Sequence, residues 1–148
     1  MTTAPPLKVT GIYAFRKGTE WKIPLFLTKV AAGFPSPADD FLDKKIDLNE
    51  ELIRHPAATF FVRVQGDSMR DAGIFSGDML IVDRSLEVKD DAIVVAVLDG
   101  EFTVKRVRRS DGKLFLIPAN PSYSPTEVTE ERDFIVWGVV TNVIRSVS

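Results

Sequence analysis

The feature that most constrains the fold of this chain is a series of short β-type segments separated by turn signals. Ala92–Leu98 is a continuous apolar run of strand length, and Glu101–Val107 follows it after the dipeptide Asp99-Gly100. Because Asp and Gly both tolerate positive φ, this dipeptide predicts a hairpin. Similar segments are Thr59–Val64, Met79–Asp83, Lys113–Pro118 and Phe134–Ile144. The pattern predicts a mainly β domain over residues 46–148 that is open or barrel-like.

The first 45 residues have a different character, because prolines interrupt them. Residues that precede proline are biased towards extended conformations, and the stretch 29–40 contains the dipeptides Phe34-Pro35 and Ser36-Pro37. We therefore expect residues 1–45 to form a flexible N-terminal arm. After it, Asp47-Leu-Asn-Glu50 has the form of a capping box, which predicts one short helix over residues 48–54.

The composition excludes several classes of site and of protein. The chain has no cysteine and a single histidine, so thiolate nucleophiles, disulfides and multi-histidine metal sites are ruled out. We expect no metal and no cofactor. The net charge of −2 gives no global signal for nucleic acid. No apolar run is long enough for a membrane span, and no signal peptide is recognisable, which predicts a cytoplasmic protein.

A first group of candidate catalytic residues follows the predicted strand that ends at Val64. Gly66 permits a sharp turn there, and Ser68 comes directly after Asp67 at the corner. A serine at such a corner exposes its hydroxyl. The backbone N–H groups of Asp67 and Ser68 would point outward, as an oxyanion hole requires.

The second candidate is Lys105, which lies inside a predicted strand on the same face as Thr103. Burial in an apolar pocket would lower the pKa of such an amine and make it a usable base. A Ser–Lys dyad is a known alternative to the catalytic triad. The sequence Gly-Asp-Ser is also common in ordinary turns, and lysines in strands usually point to solvent. The residues alone leave both interpretations open.

Several motifs in collinear order add to this evidence. The stretch 61–83 contains Gly-Asp-Ser-Met, and residues 99–106 read Asp-Gly-Glu-Phe-Thr-Val-Lys-Arg. Ala-Gly-Phe-Pro-Ser-Pro-Ala occupies residues 32–38, and Ile-Pro-Ala-Asn occupies residues 117–120. Over about residues 25–148 the chain resembles the LexA/UmuD family of self-cleaving serine peptidases.

The resemblance implies specific roles for the candidate residues. Ser68 would be the nucleophile, Lys105 the general base, and the amides of Asp67 and Ser68 the oxyanion hole. The scissile bond would be Ala32–Gly33 within the arm, cut within one chain or across a dimer. The resemblance also implies that the β domain is a compact curved-sheet peptidase domain of the LexA/UmuD type. The segment formed by the first 24 or so residues is longer than the family leads us to expect.

The family further implies partners and a setting. These are a homodimer, a RecA filament on single-stranded DNA that promotes cleavage, and a UmuC-type translesion polymerase subunit in the SOS response. Two alternatives stay open: a polymerase-binding subunit whose peptidase activity is secondary, and a peptidase that acts on other proteins. The proline-rich arm cannot build a helix-turn-helix, so we expect no sequence-specific DNA binding. The basic run Arg106, Arg108 and Arg109 is interpreted as a solvated strand end.

Overall fold

The computed structural model describes residues 7–16, 22–26 and 42–148. It divides into two compact units, one of residues 7–15 with residues 57–148, and the other of the described parts of residues 16–56. The boundary predicted at residue 45 and the flexibility of the arm stay predictions. No helix in the described ranges is long and apolar enough to cross a membrane.

Ten strands and one α-helix make up the described regular structure. The strands are β1 (Lys8–Ala14), β2 (Lys22–Phe26), β3 (Leu42–Asp47), β4 (Thr59–Gln65), β5 (Met79–Asp83), β6 (Ile93–Leu98), β7 (Glu101–Ser110), β8 (Lys113–Ile117), β9 (Thr126–Val128) and β10 (Phe134–Ile144). The helix α1 spans Leu48–Leu52, and single 3-10 turns cover Pro56–Ala58 and Arg70–Ala72. The predicted mainly β fold is confirmed. The strands β1, β2, β3 and β9 were not predicted.

The larger unit is one eight-stranded antiparallel sheet in the order β1-β4-β5-β10-β6-β7-β8-β9. The sheet curls so far that β1, at one edge, also lies against β7. This curvature matters for the site, because it brings together the end of β4, the start of β1 and the middle of β7.

The predicted hairpin joins β6 to β7. Leu98 pairs with Glu101, and the two residues between them have positive φ, 49° at Asp99 and 85° at Gly100. This is the backbone that a tight two-residue hairpin turn requires. The turn fixes the register of β7, and with it the face on which Lys105 lies.

The long strand β10 bends where its register shifts twice, between Val136 and Gly138 against β6 and between Val140 and Asn142 against β5. A Cβ at Gly138 would lie 2.7 Å from Val82 Cγ1 and 3.0 Å from the carbonyl oxygen of Asp83. Glycine is therefore needed at this bend, where β10 crosses close to β5.

The core of the sheet forms two clusters. One contains Val95 of β6 and Val104 of β7 with Met69 and Ile74, and the other contains Val94 and Ala96 of β6 with further residues of β7 and β8. Alternate residues of β6 thus belong to different clusters, which explains why its sequence is continuously apolar rather than alternating.

In the smaller unit β2 pairs antiparallel with β3, and α1 follows β3 directly. The side chain of Asp47 accepts a hydrogen bond from the N–H of Asn49 at 2.9 Å, as an N-cap does. The helix ends at Leu52, two residues before the predicted end at residue 54. The N–H of Ile53 still bonds the carbonyl of Asn49, but Ile53 itself is extended, with ψ 97°.

Candidate active site

Ser68 lies on a tight loop between β4 and the 3-10 turn Arg70–Ala72. Gly66, with φ 113°, turns the chain out of β4, and its N–H donates to Ser76 Oγ at 3.2 Å. Met69, directly after the serine, has no exposed surface and packs in the core. The loop is therefore anchored on both sides of Ser68, which fixes the position of the hydroxyl.

Lys105 reaches Ser68 from the middle of β7. Its Nζ donates hydrogen bonds to Ser68 Oγ, Thr103 Oγ1 and the carbonyl oxygen of Val104, each at 3.1 Å. Thr103 is two residues earlier on the strand, and so on the same face. Burial lowers the pKa of Lys105 from 10.5 to about 8, so a substantial neutral fraction exists near pH 8.

The start of β1 also contacts the serine. The backbone N–H of Leu7 donates to Ser68 Oγ at 3.1 Å. Leu7 is buried in the core cluster that contains Met69. Ser68 has no exposed surface, so the expectation of an exposed hydroxyl at this corner is wrong. Its Oγ accepts hydrogen bonds from two donors that are distant in sequence.

A loop after β8 holds the segment of Ser68 from the side. The buried Asn120 donates from Nδ2 to the carbonyl oxygen of Asp67 at 2.9 Å, and its Oδ1 accepts the N–H of Ser122 at 3.0 Å. The N–H of Ala119 donates to the carbonyl of Ser68 at 2.8 Å. Two backbone carbonyls of the loop that carries Ser68 thus accept hydrogen bonds from one short segment, residues 119–120.

Tyr123 adds a contact to the same loop, since its hydroxyl donates to Asp67 Oδ1 at 2.6 Å. This hydrogen bond, with burial and the charge of Asp67, raises the pKa of Tyr123. The hydroxyl therefore keeps its proton and remains a donor to the carboxylate.

An ion pair between a buried carboxylate and a partly exposed arginine stabilises the chain that follows Ser68. Arg145, just after β10, contacts both carboxylate oxygens of Asp78 at 2.7 and 2.6 Å and donates to the carbonyl of Gly73 at 2.8 Å. Burial alone would raise the pKa of Asp78, but the hydrogen bonds from Arg145 and from the N–H of Phe75, with the arginine charge, lower it. The end of β10 is thereby fixed to the turn between Ser68 and β5.

The structure brings two of the predicted residues together: Ser68 and Lys105 lie within hydrogen-bonding distance although 37 positions separate them. Within the described residues, no hydrogen bond uses the N–H of Asp67 or of Ser68. Ala32 and Gly33 lie outside the described residues. The catalytic or cleavage-site roles of the five predicted residues stay predictions; these are Ala32, Gly33, Asp67, Ser68 and Lys105.

The predicted basic run is not one surface. Arg108 is paired with Asp91 through Nε at 3.0 Å and Nη2 at 2.7 Å, and the N–H of Arg109 bonds Asp90 at 2.8 Å. Both side chains are exposed near the end of β7, whereas Arg106 is half-buried.

Sequence reasoning did not assign a role to Leu7, Thr103, Asn120 or Tyr123. Asn120 lies between Ala119 and Pro121 in a turn, a setting in which Asn is common for purely local reasons. Its contact with Asp67 spans 53 positions, and no periodicity predicts it.

The curled sheet, with Ser68 and Lys105 in contact, can be compared with known proteins. Residues 24–141 match the model of the Peptidase S24-like family, and the chain belongs to that family. The resemblance to the LexA/UmuD family is therefore confirmed.

Individual relatives are similar over most of the chain. Protein SamA of Salmonella typhimurium is 49% identical over 82% of this chain and 84% of its own length. Protein MucA of Escherichia coli is 42% identical over 81% of this chain and 82% of its own. The LexA repressor of Ectopseudomonas mendocina is 42% identical over 79% of this chain and 57% of its own.

Proposed function

We propose that this protein is a self-cleaving serine endopeptidase in which Ser68 and Lys105 form the catalytic dyad. One observation carries the proposal: Lys105 Nζ lies 3.1 Å from Ser68 Oγ. The burial that lowers the pKa of Lys105 to about 8 makes it a base at mildly alkaline pH. General-base catalysis is most efficient when the pKa of the base is near the working pH.

The substrate bond is Ala32–Gly33 of the same polypeptide, or of a second copy. Neutral Lys105 accepts the proton of the Ser68 hydroxyl while Oγ attacks the carbonyl carbon of Ala32. The N–H groups of Asp67 and Ser68 donate to the oxyanion. When the C–N bond breaks, the lysine returns its proton to the amine of Gly33.

Water completes the reaction. Lys105, neutral again, takes a proton from a water molecule that attacks the Ala32 ester on Ser68. The Ser68–acyl bond breaks and the serine recovers a proton. The products are a fragment that ends in the Ala32 carboxylate and a fragment that begins with the Gly33 amine. No oxidant, metal or cofactor enters this sequence.

We place this reaction in the SOS response to DNA damage. The similarity to SamA, MucA and the LexA repressor supports that setting. A RecA filament on single-stranded DNA would promote docking of the arm in the cytoplasm. The cut homodimer would then join a UmuC-type subunit as part of an error-prone translesion polymerase.

The test is the intact mass of the purified protein after incubation at pH 9, with Ser68→Ala and Lys105→Ala alongside. Wild type is expected to lose the segment that ends at Ala32, and both variants are expected to keep their mass. An unchanged wild-type mass, even with an activated RecA filament, would contradict the proposal and favour a polymerase-binding subunit. Cleavage of a separate protein with no self-cleavage would instead favour a peptidase that acts on other proteins.

A further inference from the structure

The strand β1 precedes the proposed cut in the chain, yet it belongs to a sheet whose other strands all follow the cut. Residues 7–15 form one compact unit with residues 57–148. The family match begins at residue 24, so β1 precedes the part of the chain that the family model covers.

The contacts of β1 with β4 are extensive. Six residue pairs join the two strands, from Lys8–Gln65 to Ala14–Phe60. Beyond the last of these pairs, the rings of Phe15 and Phe61 meet edge to face at 6.1 Å between centroids. Strand pairing supplies affinity through backbone hydrogen bonds that do not depend on the chain being continuous.

Leu7 anchors the other end of the strand. Its side chain is 3% exposed and lies in the core cluster with Phe60, Val62 and Val64 of β4. Its N–H donates to Ser68 Oγ. Removing β1 would therefore expose the edge of β4 and part of the core, and would remove one hydrogen bond to Ser68 Oγ.

We propose that the edge of β4 is a binding site for an extended peptide, and that its occupant after the cut is residues 7–15 of the released fragment. The cut at Ala32–Gly33, which rests on the proposed function, breaks none of the β1–β4 contacts. Its product is a two-chain protein in which the N-terminal fragment remains the edge strand of the sheet.

One consequence concerns the nucleophile. As long as the fragment stays bound, the N–H of Leu7 remains within hydrogen-bonding distance of Ser68 Oγ, as it is in the uncut chain. Loss of the fragment exposes the β4 edge to a partner that offers an extended strand.

The experiment uses the full chain with a site-specific protease sequence inserted between Pro35 and Ser36. The added protease makes the break, so the result does not depend on Ser68 chemistry. It is carried out at pH 6, where Lys105 is protonated and self-cleavage is slow. Size-exclusion chromatography at about 10 µM and native mass spectrometry then report whether the fragments remain together.

We expect the two fragments to co-elute with the summed mass of the uncut chain. Separation of the fragments would overturn the inference, whatever the outcome for self-cleavage. Conversely, a wild-type chain that never cuts itself but retains the nicked fragment would refute the proposed function and leave the binding site standing.

A matched pair of variants locates the anchor. Leu7→Ala is expected to weaken fragment binding on the order of 30-fold or more, because it empties a buried leucine site. Ile12→Ala, on the same strand but 39% exposed, is expected to change it by about threefold or less. Equal effects of the two variants would contradict the role of Leu7.

Competition provides a readout that needs no core variant. Excess peptide of residues 1–32 is expected to exchange with the labelled fragment of the nicked protein. The same peptide with residues 7–15 scrambled is expected to leave the label bound. Displacement by both peptides would overturn the inference, since binding would then not depend on the β1 sequence.

Discussion

Lys105 Nζ and Ser68 Oγ are 3.1 Å apart, and the two residues come from opposite parts of the curled sheet. Lys105 lies in β7, whereas Ser68 follows β4, and three strands (β5, β10 and β6) lie between β4 and β7 in the order of the sheet. The short route between them is through β1, which pairs with β4 and lies against β7. The curvature of the sheet therefore brings the two side chains together.

The pH dependence of cleavage follows from the lowered pKa of Lys105. Because the neutral amine is the base, the rate is expected to rise about tenfold per pH unit below pH 7 and to level off above the pKa of about 8. Intact mass against time at pH 6 to 10 measures it. Lys105→Arg should be inactive throughout, because a guanidinium stays charged. A rate that is flat from pH 6 to 9 would contradict Lys105 as the base.

The same pKa makes the stability of the fold depend on pH. The pKa of Lys105 is lower in the folded protein than in the unfolded chain, so the unfolded chain binds the proton more tightly. Below pH 8 this costs the folded state about 3 kcal/mol, and the cost disappears as the pH rises from about 8 to 10.5. Lys105→Met removes this cost. In urea unfolding the variant should therefore be more stable than wild type at pH 7, and the difference should shrink at pH 10.

A matched control for that experiment is Lys113→Met at the exposed start of β8. It is expected to follow the wild-type stability at both pH values. A constant difference between Lys105→Met and wild type would mean that the lysine is not held in a desolvated site.

Asn120 is expected to act as a positioning residue for Ser68. Asn120→Asp keeps the acceptor for Ser122 N–H but removes the amide donor to the carbonyl of Asp67. Loss of a buried hydrogen bond costs about 1–3 kcal/mol, and we expect slower cleavage with the midpoint of the pH profile unchanged. A shifted midpoint would indicate an electrostatic effect on Lys105 instead.

Tyr123→Phe, which removes the hydroxyl donor to Asp67, should slow cleavage less than Asn120→Asp does.

The ion pair of Arg145 with Asp78 is expected to be a main stabiliser of the nucleophile loop. Arg145→Ala leaves the carboxylate of Asp78, 1% exposed, without its counter-charge, and we expect a clear fall in the midpoint of urea unfolding. The contribution is present at neutral pH and is lost as the pH falls below the ordinary Asp value of 3.8, because the folded pKa of Asp78 is lowered.

The control for the ion pair is Arg132→Ala. Arg132 forms a similarly short contact of 2.7 Å with Asp99, but both side chains are well exposed, at 35% and 47%. Exposed pairs are worth about 1 kcal/mol or less. Equal destabilisation by the two variants would show that burial of Asp78 does not decide the cost.

Local pattern was sufficient for much of the fold. The apolar run of β6, the Asp99-Gly100 turn and the β-branched residues of β4, β5 and β10 are written in consecutive residues, so those strands are predictable. The strands β2 and β9 are not, because β2 contains Pro24 and β9 has only three residues. For β1, the lysine at its start and Gly11 in its middle conceal a strand that pairing with β4 stabilises.

The sequence by itself determined the mainly β class, the hairpin that sets the face of Lys105, and the turn that presents Ser68, because each depends on neighbours in the chain. Only the tertiary structure decided that the lysine is buried and reaches the serine. It also decided that Asn120 and Tyr123 bond to the loop that carries Ser68 and that the N–H of Leu7 donates to the Ser68 hydroxyl. These contacts join residues 37 to 61 positions apart. They depend on how far the sheet curls, a property of the whole packed sheet that no short segment encodes.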